Sequence, residues 1–275
     1  MTSRESTEPY SIEDLLYLMR RLRDRASGCP WDLQQTYSTI APYTLEEVYE
    51  VIDTIERNDI EHLSEELGDL LFQVVFYARL GEEDGTFDFN QIVNGIVSKL
   101  VSRHPHVFPE GTLKSIRLSN AEVGQAQIKD TWEELKQKER NQKGRSGAMA
   151  DVPLALSALI RAQKLQKRAA KQGFDWSDVQ GVFKKIDEEL EEVRQEIPAQ
   201  NKEKLTEEIG DLLFTCVNLS RHLGVDAETA LRQANRKFES RYTAMEQSAE
   251  NNGDSFQSIT AEQKEQLWQQ AKAKP

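Results

Sequence analysis

Four acidic residues in the second half of the chain are spaced so that they could bind a metal ion. Glu189 and Glu192 form one pair, Glu208 and Asp211 form another, and the two members of each pair lie three positions apart. Residues with this spacing share one face of a helix, where two like charges repel each other. A divalent cation between two such helices would replace this repulsion with attraction, and carboxylate oxygens are the ligands that Mg²⁺ prefers. The spacing therefore predicts a Mg²⁺ site, for which Mn²⁺ is a possible substitute.

The same arrangement occurs in the first half of the chain. Glu47 with Glu50 and Glu66 with Asp69 repeat the two pairs, and the pairs begin 19 positions apart in both halves. Two further patterns recur, namely K-x-x-x-R at residues 99–103 and 237–241 and W-x-x-x-K at residues 132–136 and 268–272. The shared order of the patterns indicates an internal duplication with a period of about 140 residues.

Two alternative interpretations of the acidic pairs involve no metal. A single pair is most often part of a solvated helix face. Thr44 precedes Glu47 by three positions, as in a capping box, so Glu47 could instead cap a helix that begins near Thr44. The second half has Ile186 at the corresponding position, which argues against capping there. Because the duplication retains all four carboxylates, we favour the metal site.

The type of metal can be predicted from the ligands. Asp69 and Asp211 each begin a strongly apolar segment, so we expect both to be buried and to need a metal or a cationic partner. A di-iron bundle would have Glu-x-x-His on two helices. The nearest case is Asp59-x-x-His62, and the second half has asparagine and lysine at those positions. Mg²⁺ or Mn²⁺ is therefore favoured over iron or zinc.

Helical periodicity dominates the chain, and no convincing strand alternation is present, so we predict an all-α fold. In the first half the expected helices cover residues 12–25, a segment beginning near 42 or 44, and residues 61–80, 88–103 and 122–143. In the second half they cover residues 153–172, 178–196, 202–223, 227–250 and 260–273. The segment KGRSG at residues 143–147 is typical of a linker. We therefore predict two tandem helical-bundle domains, residues 1–147 and 148–275.

Composition limits the class of protein. The 275 residues carry a formal net charge of −12, which argues against broad nucleic-acid binding. No apolar run is long enough to span a membrane. The two cysteines, Cys29 and Cys216, have no disulfide or CxxC spacing, which favours a reducing compartment. We expect a soluble, cytoplasmic protein.

These motifs resemble those of the MazG family of nucleoside triphosphate pyrophosphohydrolases, over nearly the whole chain. The segments that carry the resemblance are CPWD (29–32), TLEEVYEV (44–51), ELGDLLFQVVFYA (66–78), RHPHVF (103–108), GFDW (173–176), EIGDLLF (208–214) and NRKFESR (235–241). The resemblance implies an all-α NTP pyrophosphatase fold, usually assembled as a homodimer. It also implies Mg²⁺-dependent hydrolysis of NTPs to NMP and pyrophosphate, with broad base selectivity and a housekeeping role for nucleotide pools.

The residues of the second half suit this chemistry. We hypothesise that the four carboxylates hold Mg²⁺ and that Glu188 activates the attacking water, although neighbouring carboxylates could do so. Developing negative charge on pyrophosphate requires cationic side chains. The expected substrate-binding residues are Lys185, Lys204, Glu207, Asn235, Lys237, Arg241 and Trp268. Lys185 could instead form an ordinary i, i+4 pair with Glu189, and Trp268 could be a core or interface residue rather than a platform for the base.

The two halves differ in their cationic residues. The first half has Tyr43, His62 and Val97 at the positions of Lys185, Lys204 and Asn235. We therefore expect the second half to be the main catalytic domain and the first half to provide a secondary metal site. The alternative function is a regulatory module that senses nucleotide and metal, or binds a partner, with little turnover. Hydrolysis to NDP is disfavoured because the chain has no GxxxxGK[ST] loop.

Overall fold

The computed structural model describes residues 9–117, 124, 135, 147–150 and 152–273. The chain divides into two compact units, residues 1–137 and 138–275. We call these the first unit and the second unit. The predicted helix over residues 122–143 lies outside the described residues, apart from 124 and 135. The boundary predicted between residues 147 and 148 stays a prediction, because residues 136–146 are not described.

The first unit is built from five described helices. They are α1 (Ile12–Leu22), α2 (Pro30–Gln34), α3 (Tyr37–Glu56), α4 (Ile60–Asp84) and α5 (Phe89–Arg103). A short turn joins α3 and α4, which pack along each other as a helical hairpin, and α1 and α5 pack against α4. The core between these helices contains Met19, Ile40, Val75, Phe76 and Leu80. The hairpin therefore carries the first set of carboxylates on helices that the core holds in place.

The second unit repeats this scheme. Its described helices are α6 (Ala158–Ala170), α7 (Val179–Ala199), α8 (Lys202–His222), α9 (Ala227–Asn251) and α10 (Ala261–Ala273). The hairpin is formed by α7 and α8, while α6 packs against α8 and α9, and α10 packs against α9. Gln200 has a positive φ and ends α7, and Asn201 caps the first turn of α8. The described residues form helices and no strands, which confirms the predicted all-α class and its duplication.

The start of α3 differs from the prediction. The helix begins at Tyr37 rather than near residue 42 or 44, because Thr36 and Thr39 form a capping box. Pro42 lies in the second turn, where its missing N–H removes only one helical hydrogen bond. Thr44 therefore lies inside the helix, where its hydroxyl bonds to the Ile40 carbonyl and lies 2.9 Å from the Tyr77 hydroxyl. The capping-box interpretation of Thr44 with Glu47 is wrong.

The end of α1 and the loop after it also differ. The helix ends at Leu22 rather than near residue 25, and a tight turn follows in which Cys29 N–H donates to the Leu22 carbonyl at 2.8 Å. A side chain at Gly28 would collide with backbone atoms of Asp24 and Leu22. The predicted loop then continues into the short helix α2, with Pro30 at its first position. None of the described helices combines the length and apolar character needed to cross a membrane.

Candidate active site

The hairpin of the second unit brings three of the four predicted carboxylates together. Glu189 lies on α7, and Glu208 and Asp211 lie on α8. Each offers one carboxylate oxygen, and these oxygens lie within 4.8 Å of one another. Glu192 is not part of this triad, but its carboxyl interacts with that of Glu189, one helical turn earlier. Like charges at this separation are unfavourable unless a cation compensates them.

Glu189 is the buried member of the cluster, with only 3% of its surface exposed. Its Oε1 atom lies 2.9 Å from the Nζ atom of Lys185. Its Oε2 atom is buried and has no hydrogen-bond partner among the described residues. An unsatisfied buried carboxylate oxygen is unfavourable by itself. A divalent cation bound beside Glu189 would satisfy this oxygen.

Burial of the aspartates was predicted wrongly. Asp69 and Asp211 are both exposed, whereas Glu189 is buried and its counterpart Glu47 is half-buried. Both aspartates lie in the third turn of their helices, α4 and α8, on the side that faces solvent. The electrostatic argument for a cation therefore depends on the α7 glutamate.

Lys185 lies between two carboxylates on the same face of α7. Its Nζ atom donates to Glu188 at 2.6 Å and lies 2.9 Å from Glu189. The hydrogen bond to Glu188, and then the one to Glu189, raises the pKa of Lys185 above its ordinary value. The predicted i, i+4 pair is therefore present, and the ammonium group lies beside the metal-ligand candidates.

Two carboxyl groups of the cluster are harder to ionise than ordinary glutamates. Burial, followed by the charge of Glu189, raises the pKa of Glu192. Burial, followed by the charges of Glu207 and Asp211, raises the pKa of Glu208. A cation that binds the ionised forms would reverse these effects. The donor set therefore fits a hard divalent cation such as Mg²⁺ or Mn²⁺.

The other predicted substrate-binding residues lie in two places. Lys204 is in the first turn of α8, with Nζ 3.6 Å from Glu196 at the end of α7, and Glu207 is exposed beside Glu208. Asn235, Lys237 and Arg241 lie on α9. Arg241 has its guanidinium 5.7 Å from the centre of the Trp268 ring, and Phe238 packs against the same ring at 5.6 Å. Trp268 is therefore part of an aromatic cluster, and its stacking on a base stays a prediction.

The first unit holds a related but different cluster. Glu47, Glu66 and Asp69 bring three carboxylate oxygens within 4.8 Å of one another. The pKa of Glu47 is raised by burial and then by the charge of Asp69, and that of Glu66 by burial and then by the charge of Glu50. Three of the four residues in the secondary set predicted from the sequence therefore lie together, while Glu50 is not part of this triad.

Two contacts distinguish this cluster from that of the second unit. Gln73, with 6% of its surface exposed, donates from Nε2 to Glu47 at 3.4 Å, and its Oε1 atom has no partner among the described residues. Tyr43 replaces Lys185 and packs edge-on against Trp31, with 5.9 Å between ring centres. The motif pattern contains no signal for the Gln73 contact, because the second unit has Thr215 there.

Asp59 and His62 form a hydrogen-bonded pair at the start of α4. Asp59 caps the first turn of α4 and lies 2.8 Å from the His62 ring. The hydrogen bond with His62 lowers the pKa of Asp59.

Comparison with known proteins gives consistent matches across the chain. The model of the MazG nucleotide pyrophosphohydrolase domain matches residues 35–108 and 177–245, once in each unit. A nucleoside triphosphate pyrophosphohydrolase of Escherichia coli (strain K12) is 49% identical over 263 residues, which cover 95% of this chain and 97% of that protein. A nucleoside triphosphate pyrophosphohydrolase/pyrophosphatase MazG of Thermotoga maritima is 38% identical over 261 residues, which cover 95% of each chain. The chain therefore belongs to the MazG nucleotide pyrophosphohydrolase family.

Proposed function

We propose that the protein is a Mg²⁺-dependent nucleoside triphosphate pyrophosphohydrolase that converts NTPs and dNTPs, ATP among them, to the monophosphates and pyrophosphate. The family membership supports the reaction. The observation that carries the proposal is the triad of carboxylates around the unsatisfied Glu189 oxygen, with the Lys185 ammonium beside it. We also propose that the enzyme has broad base selectivity and helps to maintain nucleotide pools.

The carboxylates of α7 and α8 would hold the metal. In our assignment Glu189, Glu192, Glu208 and Asp211 are the ligands, and Mn²⁺ could substitute. Bound Mg²⁺ would neutralise triphosphate charge and orient the α-phosphorus. The raised pKa of Glu192 and Glu208 supports this assignment, because ionised carboxylates in this position need a counter-charge.

Glu188 is our candidate for the water-activating base. It is exposed, it lies beside Glu189, and its carboxylate accepts a hydrogen bond from Lys185 at 2.6 Å. Water attacks the α-phosphorus, its proton passes to the carboxylate, and the bond from the α-phosphorus to the bridging oxygen breaks. Lys185, Lys204, Lys237 and Arg241 would stabilise the charge that develops on pyrophosphate. The remaining members of the proposed substrate-binding set are Glu207, Asn235 and Trp268.

We assign the main activity to the second unit. The first unit keeps its carboxylates, but Tyr43 occupies the position of Lys185 and His62 is paired with Asp59. It therefore has a plausible cation site with fewer groups for a triphosphate. We propose that it binds metal as a secondary site with little turnover.

Homodimer formation is supported by apolar side chains on the surface of both units. Leu67 and Leu71 on α4 are exposed, as are their counterparts Ile209 and Leu213 on α8. The first unit also exposes Val93, Ile96 and Leu100 along one face of α5. Rows of large apolar residues at helical spacing are typical of association surfaces.

We also propose that the protein acts in the cytoplasm, without a nucleic-acid or membrane partner. Cys29 and Cys216 are free thiols, which suits a reducing cytoplasm where nucleotide substrates are present. The net charge of −12 supports neither nucleic acid nor an anionic membrane surface as a partner.

Product analysis tests the reaction directly. Purified protein with Mg²⁺ and a panel of NTPs and dNTPs should release monophosphate and pyrophosphate, and a Glu189→Ala, Glu192→Ala variant should not. Release of diphosphate and phosphate would contradict the proposed reaction. Mg²⁺-dependent nucleotide binding without turnover would support the regulatory module instead. A Glu47→Ala variant that loses turnover while the double variant keeps it would place the activity in the first unit.

A further inference from the structure

A buried amide, that of Gln73, borders the carboxylate cluster of the first unit. Gln73 follows Glu66 and Asp69 on α4 at intervals of seven and four residues, so the three side chains share one face of the helix. Only 6% of its surface is exposed. Its Nε2 atom donates to Glu47 Oε1 at 3.4 Å, which is long for a hydrogen bond. The amide therefore lies beside the carboxylates that meet between α3 and α4.

The oxygen of this amide is unsatisfied. The Oε1 atom of Gln73 is buried and has no hydrogen-bond partner among the described residues, which is unfavourable. Rotation about the last bond of a glutamine side chain exchanges the oxygen and the nitrogen, because this torsion is broad and roughly two-fold. The same side chain can therefore turn its oxygen towards Glu47. Two oxygen atoms in these positions repel each other unless a cation lies between them.

The charge beside the buried ligand candidate differs between the two units. In the second unit the Nζ atom of Lys185 lies 2.9 Å from Glu189. This ammonium group competes with any cation for the Glu189 carboxylate. In the first unit the corresponding residue is Tyr43, a neutral phenol that packs against Trp31. The first cluster therefore keeps more of its negative charge for a cation.

The residue at the position of Gln73 differs as well. The second unit has Thr215 there, with 5% of its surface exposed and a shorter side chain. A site that binds Mg²⁺ together with a triphosphate takes part of its oxygen ligands from the phosphates, whereas a site that holds a cation alone needs more oxygen atoms from the protein. Glutamine carbonyls are among the oxygen ligands that proteins use for this purpose. Gln73 gives the first unit one such oxygen.

We propose that the first unit holds a hard divalent cation in the absence of nucleotide, and that the amide oxygen of Gln73 is one of the ligands. The other ligands are the three carboxylates of the cluster, Glu47, Glu66 and Asp69. This inference rests on the secondary metal site of the proposed function. The second unit binds its metal together with the triphosphate, because Lys185 neutralises part of the carboxylate charge and the phosphates supply further oxygen ligands. The cation of the first unit links α3 to α4 whether or not substrate is present.

A titration with Mn²⁺ tests the cation site without any substrate. The full chain is freed of metal with EDTA and dialysed, and free Mn²⁺ is followed by electron paramagnetic resonance. We expect one Mn²⁺ per chain to bind about tenfold more tightly than any further ion, since only the second cluster has an ammonium group beside its ligands. Glu66→Gln should remove this tight site, and the matched variant Glu208→Gln should keep it. Loss of the tight site in Glu208→Gln instead, or two sites of equal affinity, would overturn the proposal.

Two substitutions of Gln73 test whether its oxygen is a ligand. Gln73→Leu removes the amide and keeps a side chain of similar size, so the affinity of the tight site should fall about tenfold. Gln73→Glu replaces the amide oxygen with a carboxylate oxygen, so the affinity should rise. If Gln73 only held Glu47 through its N–H group, Gln73→Glu would lose the donor and add repulsion, and both variants would bind Mn²⁺ more weakly. That result, or an unchanged affinity in Gln73→Leu, would contradict the proposed ligand. Circular dichroism at the titration temperature shows whether each variant is folded.

A nucleotide analogue separates this proposal from the proposed reaction. Addition of α,β-methylene-ATP should create a second tight Mn²⁺ site, which Glu208→Gln removes and Glu66→Gln keeps. A second site that forms equally well without the analogue would contradict the nucleotide dependence assigned to the second unit. A protein that shows the first tight site but releases no pyrophosphate from ATP would refute the reaction and leave the cation site supported.

Discussion

Glu189 combines three properties that its neighbours do not share. It is buried, one of its oxygens is paired with an ammonium group, and its other oxygen has no partner among the described residues. Glu47 occupies the equivalent position in the first unit but is only half-buried and accepts a neutral amide hydrogen bond. Glu189 pairs with the ammonium group of Lys185, whereas Glu47 pairs with the neutral amide of Gln73. We therefore expect the same substitution to have different consequences at the two positions.

We predict that Glu189→Gln lowers kcat at saturating Mg²⁺ by about 100-fold or more, the scale expected when preorganised charge is lost at a reacting centre. Glu47→Gln should leave kcat within about twofold, because the first unit has fewer phosphate-binding groups than the second unit. Steady-state pyrophosphate release measures both variants. A larger loss in Glu47→Gln than in Glu189→Gln would show that the catalytic unit has been assigned wrongly.

The raised carboxyl pKa values predict how Mg²⁺ binding depends on pH. A carboxyl whose pKa is raised in the folded protein stabilises the metal-free fold below the ordinary pKa, and this contribution is lost as pH rises through the raised value. The groups concerned are Glu47, Glu66, Glu192 and Glu208. At neutral pH the metal-free clusters are therefore destabilising, and Mg²⁺ should compensate.

We expect the increase in thermal midpoint caused by Mg²⁺ to be largest at about pH 7 and to shrink towards about pH 5, as protons compete for the same oxygens. Differential scanning calorimetry with Mg²⁺ or EDTA across this range measures the effect. Replacing both Glu66 and Glu208 with glutamine is the control that should remove it. An increase that does not depend on pH would argue against carboxylate ligands.

The position of α1 and α2 against α4 depends on one buried guanidinium group. Arg23, with 6% of its surface exposed, pairs with Glu83 at 2.7 Å. It also donates to the carbonyls of Asp32 and Gln35 and lies over the Phe76 ring. One side chain thereby holds the end of α1, the loop containing α2, and the last turns of α4 in place.

We predict that Arg23→Met destabilises the first unit by about 2–4 kcal/mol, because it leaves the carbonyl groups of Asp32 and Gln35 without their partner. It also removes one of the two arginines, Arg23 and Arg79, that pair with the partly buried Glu83. Arg20→Met is the matched control. Arg20 pairs with Glu82 but is largely exposed, so its loss should cost no more than about 1 kcal/mol. Urea unfolding followed by circular dichroism compares the two, and equal effects would contradict the role assigned to Arg23.

The duplicated chain exposes equivalent apolar residues on both hairpins, which bears on its assembly. Leu213, 55% exposed on α8, corresponds to Leu71 on α4. Residues of this kind are unfavourable in water unless another surface covers them. A symmetric pair of chains would cover equivalent surfaces on both partners.

We predict a solution mass of twice 31.5 kDa for the unsubstituted protein, measured by light scattering after size-exclusion chromatography. Leu213→Glu should shift the protein towards monomer, because a charge in an apolar interface is not compensated. Leu154→Glu is the control, since Leu154 is 83% exposed and lies outside the helices. A monomer in the unsubstituted protein would contradict the proposed homodimer.

Local patterns in the sequence were sufficient to predict the all-α class, the duplication and the approximate limits of most helices. The pairing of Glu189 with Glu192 and of Glu208 with Asp211 on shared helix faces also follows from local spacing, as does the preference for a hard divalent cation. Apart from the duplication, which is recognised by comparing the two halves of the chain, these properties depend on residues within one or two helical turns of each other. They can therefore be inferred before the packing of the helices is known.

Burial and pairing could be decided only by the tertiary structure. The periodic pattern suggested that Asp211 is buried, whereas Glu189 is the buried ligand candidate and Asp211 is exposed. Gln73 reaches Glu47 from the neighbouring helix, and Trp176 reaches Gly181 across a turn. Thr44 matches a capping pattern, but Thr36 starts the helix earlier. Each of these outcomes depends on which side chain a separate helix or loop brings into contact, and the spacing of residues along one helix does not contain that information.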